Sequence, residues 1–298
     1  MKTLNELLER ARTAKTRRLA VAEGADIAVL HAVSEASRQD LVSPVLFGNV
    51  DETRRLAAEN QISLDNMELV DCPSPEVAAR EAVSCVNRKE ADIVMKGLVG
   101  TDVYLRAILN KEWGLRTKSI LSHVALFEIP AYHKLLLVTD AAMNIAPDLE
   151  QKVHITKNAA NFMKPLLTEP PKVAFIAHNE KVAPGIPASE DAAMLRVMAD
   201  RGQLGDIVAD GPLAFDNAIS REAAEHKGII SPVAGDTDIV VCPEIQSGNA
   251  LYKSLTYFAR ARCAALIAGA AAPVVLTSRA DSPENKLMSI VFAAVTAQ

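Results

Sequence analysis

The chain has 298 residues, of which 49% are hydrophobic and 4% aromatic, and its formal net charge at pH 7 is -5. This length and apolar content can fill one large or two ordinary domain cores, and they exclude disordered and fibrous proteins. The acidic balance and the few aromatic side chains argue against a nucleic-acid surface, although a local cluster of Arg and Lys still suits a small anionic substrate.

Helical and strand-like patterns alternate along most of the chain. The 3.6-residue apolar period predicts helices at residues 4–14, 27–38, 51–59, 75–87, 148–163, 189–200 and 220–226. Short β-branched runs predict strands at residues 19–22, 42–47, 67–70, 92–95, 173–177, 207–210, 239–241 and 274–276. This alternation predicts an α/β fold with doubly wound, mainly parallel sheets.

One stretch departs from the alternation. Two apolar runs within residues 122–139 lie too close together for a crossover helix, so they predict an antiparallel hairpin. Pro170-Pro171 and residues 146–148 mark turns near the middle of the chain, where a domain boundary is expected.

The terminal segment and the cysteines indicate the cellular setting. Residues 1–13 have the pattern of a charged amphipathic helix, and the longest apolar stretches, such as residues 264–276, are too short for a membrane span. A cytoplasmic location is therefore expected. Cys72, Cys85, Cys242 and Cys263 are widely spaced, which predicts buried thiols and neither a zinc site nor a disulfide framework.

Several common site signatures are missing from the sequence. It contains no G-x-x-x-x-G-K-[ST], no G-x-G-x-x-G after the first strand, no G-x-S-x-G and no H-E-x-x-H. These absences disfavour a P-loop kinase, a Rossmann dehydrogenase, an α/β-hydrolase and a zincin.

Phosphate-compatible loops follow several predicted strands, and the first spans residues 95–106. Its glycines Gly97 and Gly100 allow close backbone approach beside Lys96, and Thr101 is expected to cap a following helix whose amides attract anions. Arg106 lies one to two turns further on. The alternative is an ordinary capped loop that carries a surface arginine.

Two further loops carry candidate binding residues. In the loop after residue 139, Asp140 and Asn144 are candidates for substrate contacts, but both residue types also stabilise turns. In Q-S-G-N-A-L-Y-K, Gly248 and Asn249 are expected to open a helix that carries Lys253, an arrangement that suits a phosphate or a carboxylate. Glu244 and Ser247 precede them and are candidates for the same sheet edge.

The segment T-S-R-A-D-S-P-E-N-K carries the most candidate chemistry. Arg279 suits a bidentate phosphate clamp, Ser278 suits a donor to a developing oxyanion, and Asp281 or Glu284 suits a base. The alternative for Ser282-Pro283-Glu284 is a plain helix cap, because Ser74-Pro75-Glu76 has the same pattern at a predicted helix start.

Taken together, several motifs resemble the phosphate acetyl/butyryltransferase family over nearly the whole chain. They are D-G-P-L-A-F-D-N-A-I at residues 210–219, P-E-I-Q-S-G-N-A-L-Y-K at residues 243–253 and the turn Ser278-Arg279. The segments S-H-V-A-L-F-E at 122–128 and H-K-L-L-L-V-T-D-A-A-M-N-I-A-P-D-L at 133–149 are more similar to the butyryl branch than to the acetyl branch.

The resemblance implies a fold and a reaction. The fold is two α/β/α domains similar to isocitrate and isopropylmalate dehydrogenases, here residues 1–146 with 273–298 and residues 147–272, with the active site in the cleft between them. The reaction is reversible transfer of a short acyl group between coenzyme A and orthophosphate in a ternary complex. No metal or other cofactor is implied, and a homodimer or higher homo-oligomer is expected.

The resemblance also implies residue roles, with one departure. Ser278 would stabilise the oxyanion, Arg279 would hold the phosphate, and Arg106 would engage an anionic part of a substrate. Members of the acetyl branch carry an Asp seven positions after the Ser, as base for the CoA thiol, whereas this chain has Asn285 there. Either Asp281 or Glu284 substitutes, with Asp281 as our choice, or thiolate formation is assisted in a different way.

Three alternatives to a butyryltransferase stay open on the sequence. One is a phosphate acetyltransferase of the same family. Another is a non-catalytic acyl-CoA-binding protein, for which Asn285 is the support. The third is an NAD-dependent decarboxylating dehydrogenase of the same fold, although the cluster of metal-binding aspartates which that reaction requires is not evident in the sequence.

Overall fold

The structure is a computed structural model that describes residues 1–277 and 281–297. Contacts divide the chain into two compact units. Unit 1 comprises Met1–Leu4 and Ile120–Cys263, and unit 2 comprises Asn5–Ser119 and Ala264–Gln298.

Helices and strands alternate as the sequence predicts. The helices are α1 (Leu4–Thr13), α2 (Ile27–Arg38), α3 (Val50–Glu59), α4 (Pro75–Asn87), α5 (Thr101–Ile108), α6 (Leu149–Met163), α7 (Pro187–Asp200), α8 (Phe215–Ile219), α9 (Arg221–His226), α10 (Ile245–Tyr257) and α11 (Pro283–Thr296), with a short 3-10 turn at Lys164–Leu166. The strands are β1 (Arg17–Ala22), β2 (Val42–Gly48), β3 (Glu68–Asp71), β4 (Ile93–Lys96), β5 (Ser122–Glu128), β6 (Leu136–Thr139), β7 (Lys172–Ile176), β8 (Val208–Leu213), β9 (Ile239–Val241), β10 (Arg262–Ala268) and β11 (Val274–Val275).

The strands of unit 2 are mainly parallel. β1 pairs with β2 and β4, β2 pairs with β3, and β11 runs parallel to β4. β10 runs antiparallel to β11, with Ile267 opposite Val274. The sequence predicts one strand in this apolar run, whereas the structure has two, because Gly269 turns the chain with φ +94°.

Unit 1 contains the predicted hairpin. β5 and β6 pair antiparallel, and parallel pairs join β6 to β9, β9 to β7 and β7 to β8. The pairing of β6 with β9 joins the hairpin to the strands that follow it, so the contacts place residues 120–146 with unit 1. The domain boundaries between residues 146 and 147 and between residues 272 and 273 stay a prediction.

The short strands are buried on both faces, as the sequence predicts for parallel strands. Every residue of β4, β6 and β9 is buried. Helix α11 packs against α2 and is buried along most of its length, from Met288 to Ala294.

Helix caps explain where several helices begin. Ser74 accepts a hydrogen bond from the backbone of Val77, and Ser282 accepts one from the backbone of Asn285, each with a proline in the first turn. The capping interpretation of both S-P-E segments is therefore confirmed.

The four cysteines are free and buried, as predicted. Among the described residues, no helix combines the length and the apolar character needed to cross a membrane.

Candidate active site

In unit 1, the loop after β6 is ordered by its own polar side chains. The Asp140 carboxylate accepts hydrogen bonds from the backbone of Ala142 and Met143 at 2.9 and 3.0 Å, and from the Asn144 amide at 2.6 Å. Asn144 also donates to the carbonyl of Leu121 at 2.9 Å. These contacts agree with the alternative that Asp140 and Asn144 stabilise a turn, and they give the loop a defined shape.

Helix α10 begins earlier than the sequence indicates. Its cap is Glu244, which accepts hydrogen bonds from the backbone of Gln246 and Ser247. Burial acts to raise the pKa of Glu244, but these hydrogen bonds and that of Ser247 outweigh it, so the pKa lies below its ordinary value. The prediction that Gly248 and Asn249 open the helix is therefore wrong, because the capping carboxylate lies further upstream.

Gly248 brings the first turn of α10 against the β6 loop. A Cβ at this position would lie 2.2 Å from the carbonyl oxygen of Asp140, so only glycine allows this approach. The neighbouring Asn249 donates to the carbonyl of Ala141 at 3.1 Å. Asp140, Asn144 and Asn249 are thereby brought together.

An open cavity of about 530 Å³ lies on the same side of α10. It is lined by Ala142, Ile245, Gln246, Asn249 and Ala250. Lys253 is exposed two turns further along the helix, and its ammonium lies 5.2 Å from the ring centroid of Tyr252 and 6.0 Å from that of Tyr257. The helix start and Lys253 are thus further apart than the sequence prediction assumed.

Sequence reasoning missed a buried ion pair at the ends of β7 and β9. The Lys152 ammonium lies 2.6 Å from the Asp191 carboxylate, and the two side chains are 6% and 15% exposed. Cys242 packs beside this pair, and burial, followed by the charges of Asp140 and Glu244, raises the pKa of its thiol to about 12. The two residues are 39 positions apart and lie on different helices, α6 and α7, so no local pattern signals the pair.

In unit 2, the ends of β1 and β4 meet closely. A Cβ on Gly97 would lie 1.9 Å from the carbonyl oxygen of Glu23, and the backbone of Leu98 donates to that oxygen at 2.7 Å. Lys96 is buried, and its ammonium donates to the carbonyl of Gly97 at 3.2 Å. Gly97 therefore allows close packing against the backbone of Glu23, and its part in an anion site stays a prediction.

Glu23 is a second residue that sequence reasoning missed. It is 9% exposed and has φ +59°, a conformation that side chains rarely adopt. Burial raises the pKa of its carboxyl group, and a hydrogen bond from the backbone of Asn49 offsets this only in part. No apolar or charged pattern in the sequence around Glu23 indicates this strain.

The helix after this loop differs in detail from the prediction. Its cap is Gly100, with no side-chain hydrogen bond, and Thr101 is the first helical residue. The expected Thr101 cap is therefore wrong, because the helix begins at Thr101 itself, one residue earlier than a cap at Thr101 would allow. Arg106 lies on the exposed face, 73% accessible, and pairs with Asp102 at 2.9 Å across one turn.

Ser278 and Arg279 lie outside the described residues, but both flanks of this turn are described. Thr277 is buried, Asp281 is half-buried, and Ser282 caps α11. The Lys286 ammonium lies 3.3 Å from the Thr277 hydroxyl.

Lys286 was not among the predicted site residues. It is 3% exposed. Burial lowers its pKa, and the charges of Asp281 and Asp26 offset this only in part.

Comparison with known proteins places the chain in a family. The family model described as phosphate acetyl/butaryl transferase matches residues 2–78 and 76–294. The phosphate butyryltransferase of Clostridium acetobutylicum is 43% identical over 297 residues, covering 100% of this chain and 99% of that protein. The phosphate acetyltransferase of Thermotoga maritima is 42% identical over 294 residues, covering 99% of each.

Solved structures agree. A branched-chain phosphotransacylase from Enterococcus faecalis has a TM-score of 0.84 at 36% identity, covering 95% of this chain and 99% of that one. A putative 4-hydroxythreonine-4-phosphate dehydrogenase from Salmonella typhimurium shares the fold alone, with a TM-score of 0.61 at 14% identity, covering 95% of this chain and 100% of that one. The expected dehydrogenase-like α/β fold is confirmed, and the chain belongs to the phosphate acetyl/butaryl transferase family.

Proposed function

We propose that this acyltransferase is a phosphate butyryltransferase, which moves a butyryl group between coenzyme A and orthophosphate. The observation that carries the proposal is the full-length likeness, at 43% identity, to the butyryltransferase of Clostridium acetobutylicum. The 42% identity to an acetyltransferase keeps acetyl transfer as the second candidate.

The reaction needs two anionic substrates held in line. A phosphate oxygen attacks the thioester carbonyl, the new C–O bond forms, the C–S bond breaks, and CoA leaves as a thiolate that takes up a proton. In the reverse direction the thiol loses that proton and attacks the acyl phosphate. Positioning and stabilisation of the oxyanion supply most of the acceleration in such a transfer, without a metal or other cofactor.

In this proposal the turn between β11 and α11 carries the catalytic groups. Ser278 donates to the oxyanion, Arg279 binds the phosphate, and Asp281 exchanges the proton with the thiol. Support comes from the described flanks, since Asp281 stands directly before the capped start of α11 and Asn285 cannot act as a base.

The substrate-binding residues proposed in unit 2 are Lys96, Gly97, Thr101 and Arg106. Lys96 places an ammonium at the end of β4, and Gly97 keeps the backbone there close to β1. Thr101 stands in the first turn of α5, whose N-terminal amides favour an anion. Arg106 is exposed beside Asp102 and is proposed to engage a phosphate of CoA.

The binding residues proposed in unit 1 are Asp140, Asn144, Asn249 and Lys253. The Asp140 carboxylate already accepts three hydrogen bonds from its own loop, so its role is to shape that loop. Asn249 lines the open cavity, and the exposed Lys253 ammonium is suited to an anionic group of CoA.

The setting of the enzyme is also a proposal. We place it in the cytoplasm, in butanoate metabolism, as a homo-oligomer of at least two chains. Tyr257 and Phe258 are 66% and 88% exposed at the end of α10, and such aromatic side chains are enriched at interfaces between subunits.

The direct test follows thiol release from butyryl-CoA, a branched acyl-CoA and acetyl-CoA, with and without orthophosphate. We expect release to require phosphate and to be fastest with butyryl-CoA. Fastest release from acetyl-CoA or from the branched substrate would keep the family and overturn the butyryl proposal. CoA binding without phosphate-dependent release from any of them would favour the non-catalytic alternative.

The role of Arg279 has a matched test. Arg279→Gln should lower kcat/KM by about 100-fold or more, in the range found when one donor to the transition state is removed. Arg54→Gln, at an exposed position of α3, is the control and should leave the rate unchanged. Near-normal activity in folded Arg279→Gln would remove Arg279 from the mechanism.

A further inference from the structure

The ends of two neighbouring strands of unit 1 border the open cavity of about 530 Å³. β6 and β9 are parallel neighbours, with Thr139 opposite Val241. The loop that follows β6 contributes Ala142 to the cavity wall. The other described residues of the wall belong to α10, which follows β9, and are Ile245, Gln246, Asn249 and Ala250. Carboxyl ends of strands are where α/β sheets bind ligands, and small-molecule pockets measure roughly 300–1,000 Å³, so place and size suit a substrate.

Negative charge beside the cavity disfavours an anionic ligand there. A helix start normally attracts anions through its free amides. In α10 the Glu244 carboxylate already accepts hydrogen bonds from two of these amides, at 2.8 and 2.9 Å, and its lowered pKa keeps it charged at neutral pH. Asp140 adds a second carboxylate in the loop after β6, and Lys152, whose charge acts on Glu244, is itself paired with Asp191. The two carboxylates repel phosphate groups, so the cavity favours an uncharged part of a substrate.

The side chains of the cavity wall are mostly small or aliphatic. Ala142 and Ala250 end at Cβ and leave space open, and Ile245 adds an aliphatic surface. Gln246 and Asn249 contribute carboxamides, and the amide of Asn249 donates to a backbone carbonyl of the β6 loop at 3.1 Å. Ligand pockets combine apolar walls with a few polar groups in this way. Such a wall matches an aliphatic chain, and the carboxamides match the neutral, amide-bearing arm of CoA to which the chain is attached.

We propose that this cavity holds the acyl chain of the acyl-CoA substrate, and that Ala142 and Ala250 leave the room for a chain longer than acetyl. Both alanines are exposed and line the cavity, so a larger side chain at either position shortens the space for the chain. The inference rests on the proposed function and deepens it, because it names residues of unit 1 that set the acyl-chain length.

The test is Ala250→Leu, which extends a side chain of α10 into the cavity. Leucine is a good helix former and the position is exposed, so α10 should keep its structure. We expect the ratio of kcat/KM for butyryl-CoA to that for acetyl-CoA to fall by about 10-fold or more, because a single methylene in an apolar pocket already discriminates by roughly 10- to 200-fold.

Two further variants accompany this test. Ala58→Leu makes the same replacement at an exposed position of α3, in unit 2, and is the matched control that should leave the ratio as it is. Ala142→Val narrows the cavity from the loop after β6 and should lower the ratio in the same direction as Ala250→Leu. If Ala250→Leu does not fold, Ala142→Val decides in the same assay.

Three results would overturn the proposal. An unchanged ratio in a folded cavity variant would mean that the acyl chain binds elsewhere. An equal fall of kcat/KM for butyryl-CoA and acetyl-CoA, with a matching rise in the calorimetric Kd of CoA itself, would assign the cavity to the neutral arm of CoA. A rise in the KM for orthophosphate alone would assign the cavity to phosphate and contradict the argument from charge.

Calorimetry without orthophosphate separates this inference from the proposed function. If the unchanged chain shows no phosphate-dependent thiol release, the proposed function fails. The acyl cavity would in that case still be supported if Ala250→Leu raises the Kd of butyryl-CoA by about 10-fold or more while the Kd of CoA stays within about twofold. Equal changes in the two Kd values, no change in either, or no binding of butyryl-CoA by the unchanged chain would overturn the inference whatever the activity.

Discussion

The close approach at Gly97 predicts a large loss of stability in Gly97→Ala. The added Cβ would lie 1.9 Å from the carbonyl oxygen of Glu23 and 2.8 Å from that of Ala22. Heavy atoms pack at roughly 3.5 Å, so one of the two backbones must move by about 1 Å or more. Overpacking of this kind costs about 1–3 kcal/mol.

The movement also disturbs two backbone hydrogen bonds. The backbone of Gly97 donates to the carbonyl of Ala22 at 2.8 Å, and that of Leu98 donates to the carbonyl of Glu23 at 2.7 Å. Each contributes about 0.5–1.5 kcal/mol. We therefore expect Gly97→Ala to lower the free energy of unfolding by about 3 kcal/mol or more, a large part of the 5–15 kcal/mol typical of a domain.

Gly100→Ala is the matched control in the same loop. Its Cβ would lie 2.9 Å from the end of the exposed Asp102 side chain, which can move away, and 3.8 Å from Val103 Cγ2, which is an ordinary contact. Its cost should stay below about 1 kcal/mol, the difference between glycine and alanine as a cap. Urea unfolding can be followed through Trp113, the single tryptophan, which lies in unit 2. A Gly97→Ala variant as stable as Gly100→Ala would refute the reasoning.

Three further predictions follow from burial and charge. The four cysteines are buried, so a thiol reagent should modify fewer than about one per native chain and all of them after denaturation, and rapid native labelling would contradict this. Asp191→Asn leaves the Lys152 charge buried and should cost about 3–5 kcal/mol in urea unfolding, whereas the double replacement Lys152→Met with Asp191→Leu should cost less; equal costs would refute the pairing. Burial acts to raise the pKa of Asp236, but hydrogen bonds from Lys172, Lys134 and His133 lower it strongly. The free energy of unfolding that this group contributes is therefore present above its ordinary pKa of 3.8 and is lost as the pH falls below it. Asp236→Asn should reduce this loss of stability at acid pH. An unchanged loss of stability at acid pH would refute the role.

Local patterns were sufficient for most elements. The β-branched run at β9 and the paired S-P-E caps each depend on neighbours in sequence, so composition and spacing predicted them. The start of α10 was missed because Glu244 caps it through its carboxylate, although asparagine, aspartate, serine and threonine are the usual signals. β10 was missed because one apolar run contains two strands.

The candidate site was predictable to a smaller extent. The loops at the strand ends were found because parallel strands place their carboxyl ends at one edge of a sheet. The contacts of each side chain were not predictable. Arg106 faces solvent beside Asp102. The carboxylate of Asp140 accepts hydrogen bonds from residues of its own loop.

The sequence by itself determined the α/β class, the order of the elements and the membership in an acyltransferase family, because these depend on periodicity and on motifs along the chain. The tertiary structure alone decided which charges are buried. Lys286 stands in N-K-L-M-S-I and Lys152 in an amphipathic helix, and neither context distinguishes them from surface lysines. Burial depends on what packs against a residue, and the partners here, Thr277 and Asp191, come from other elements.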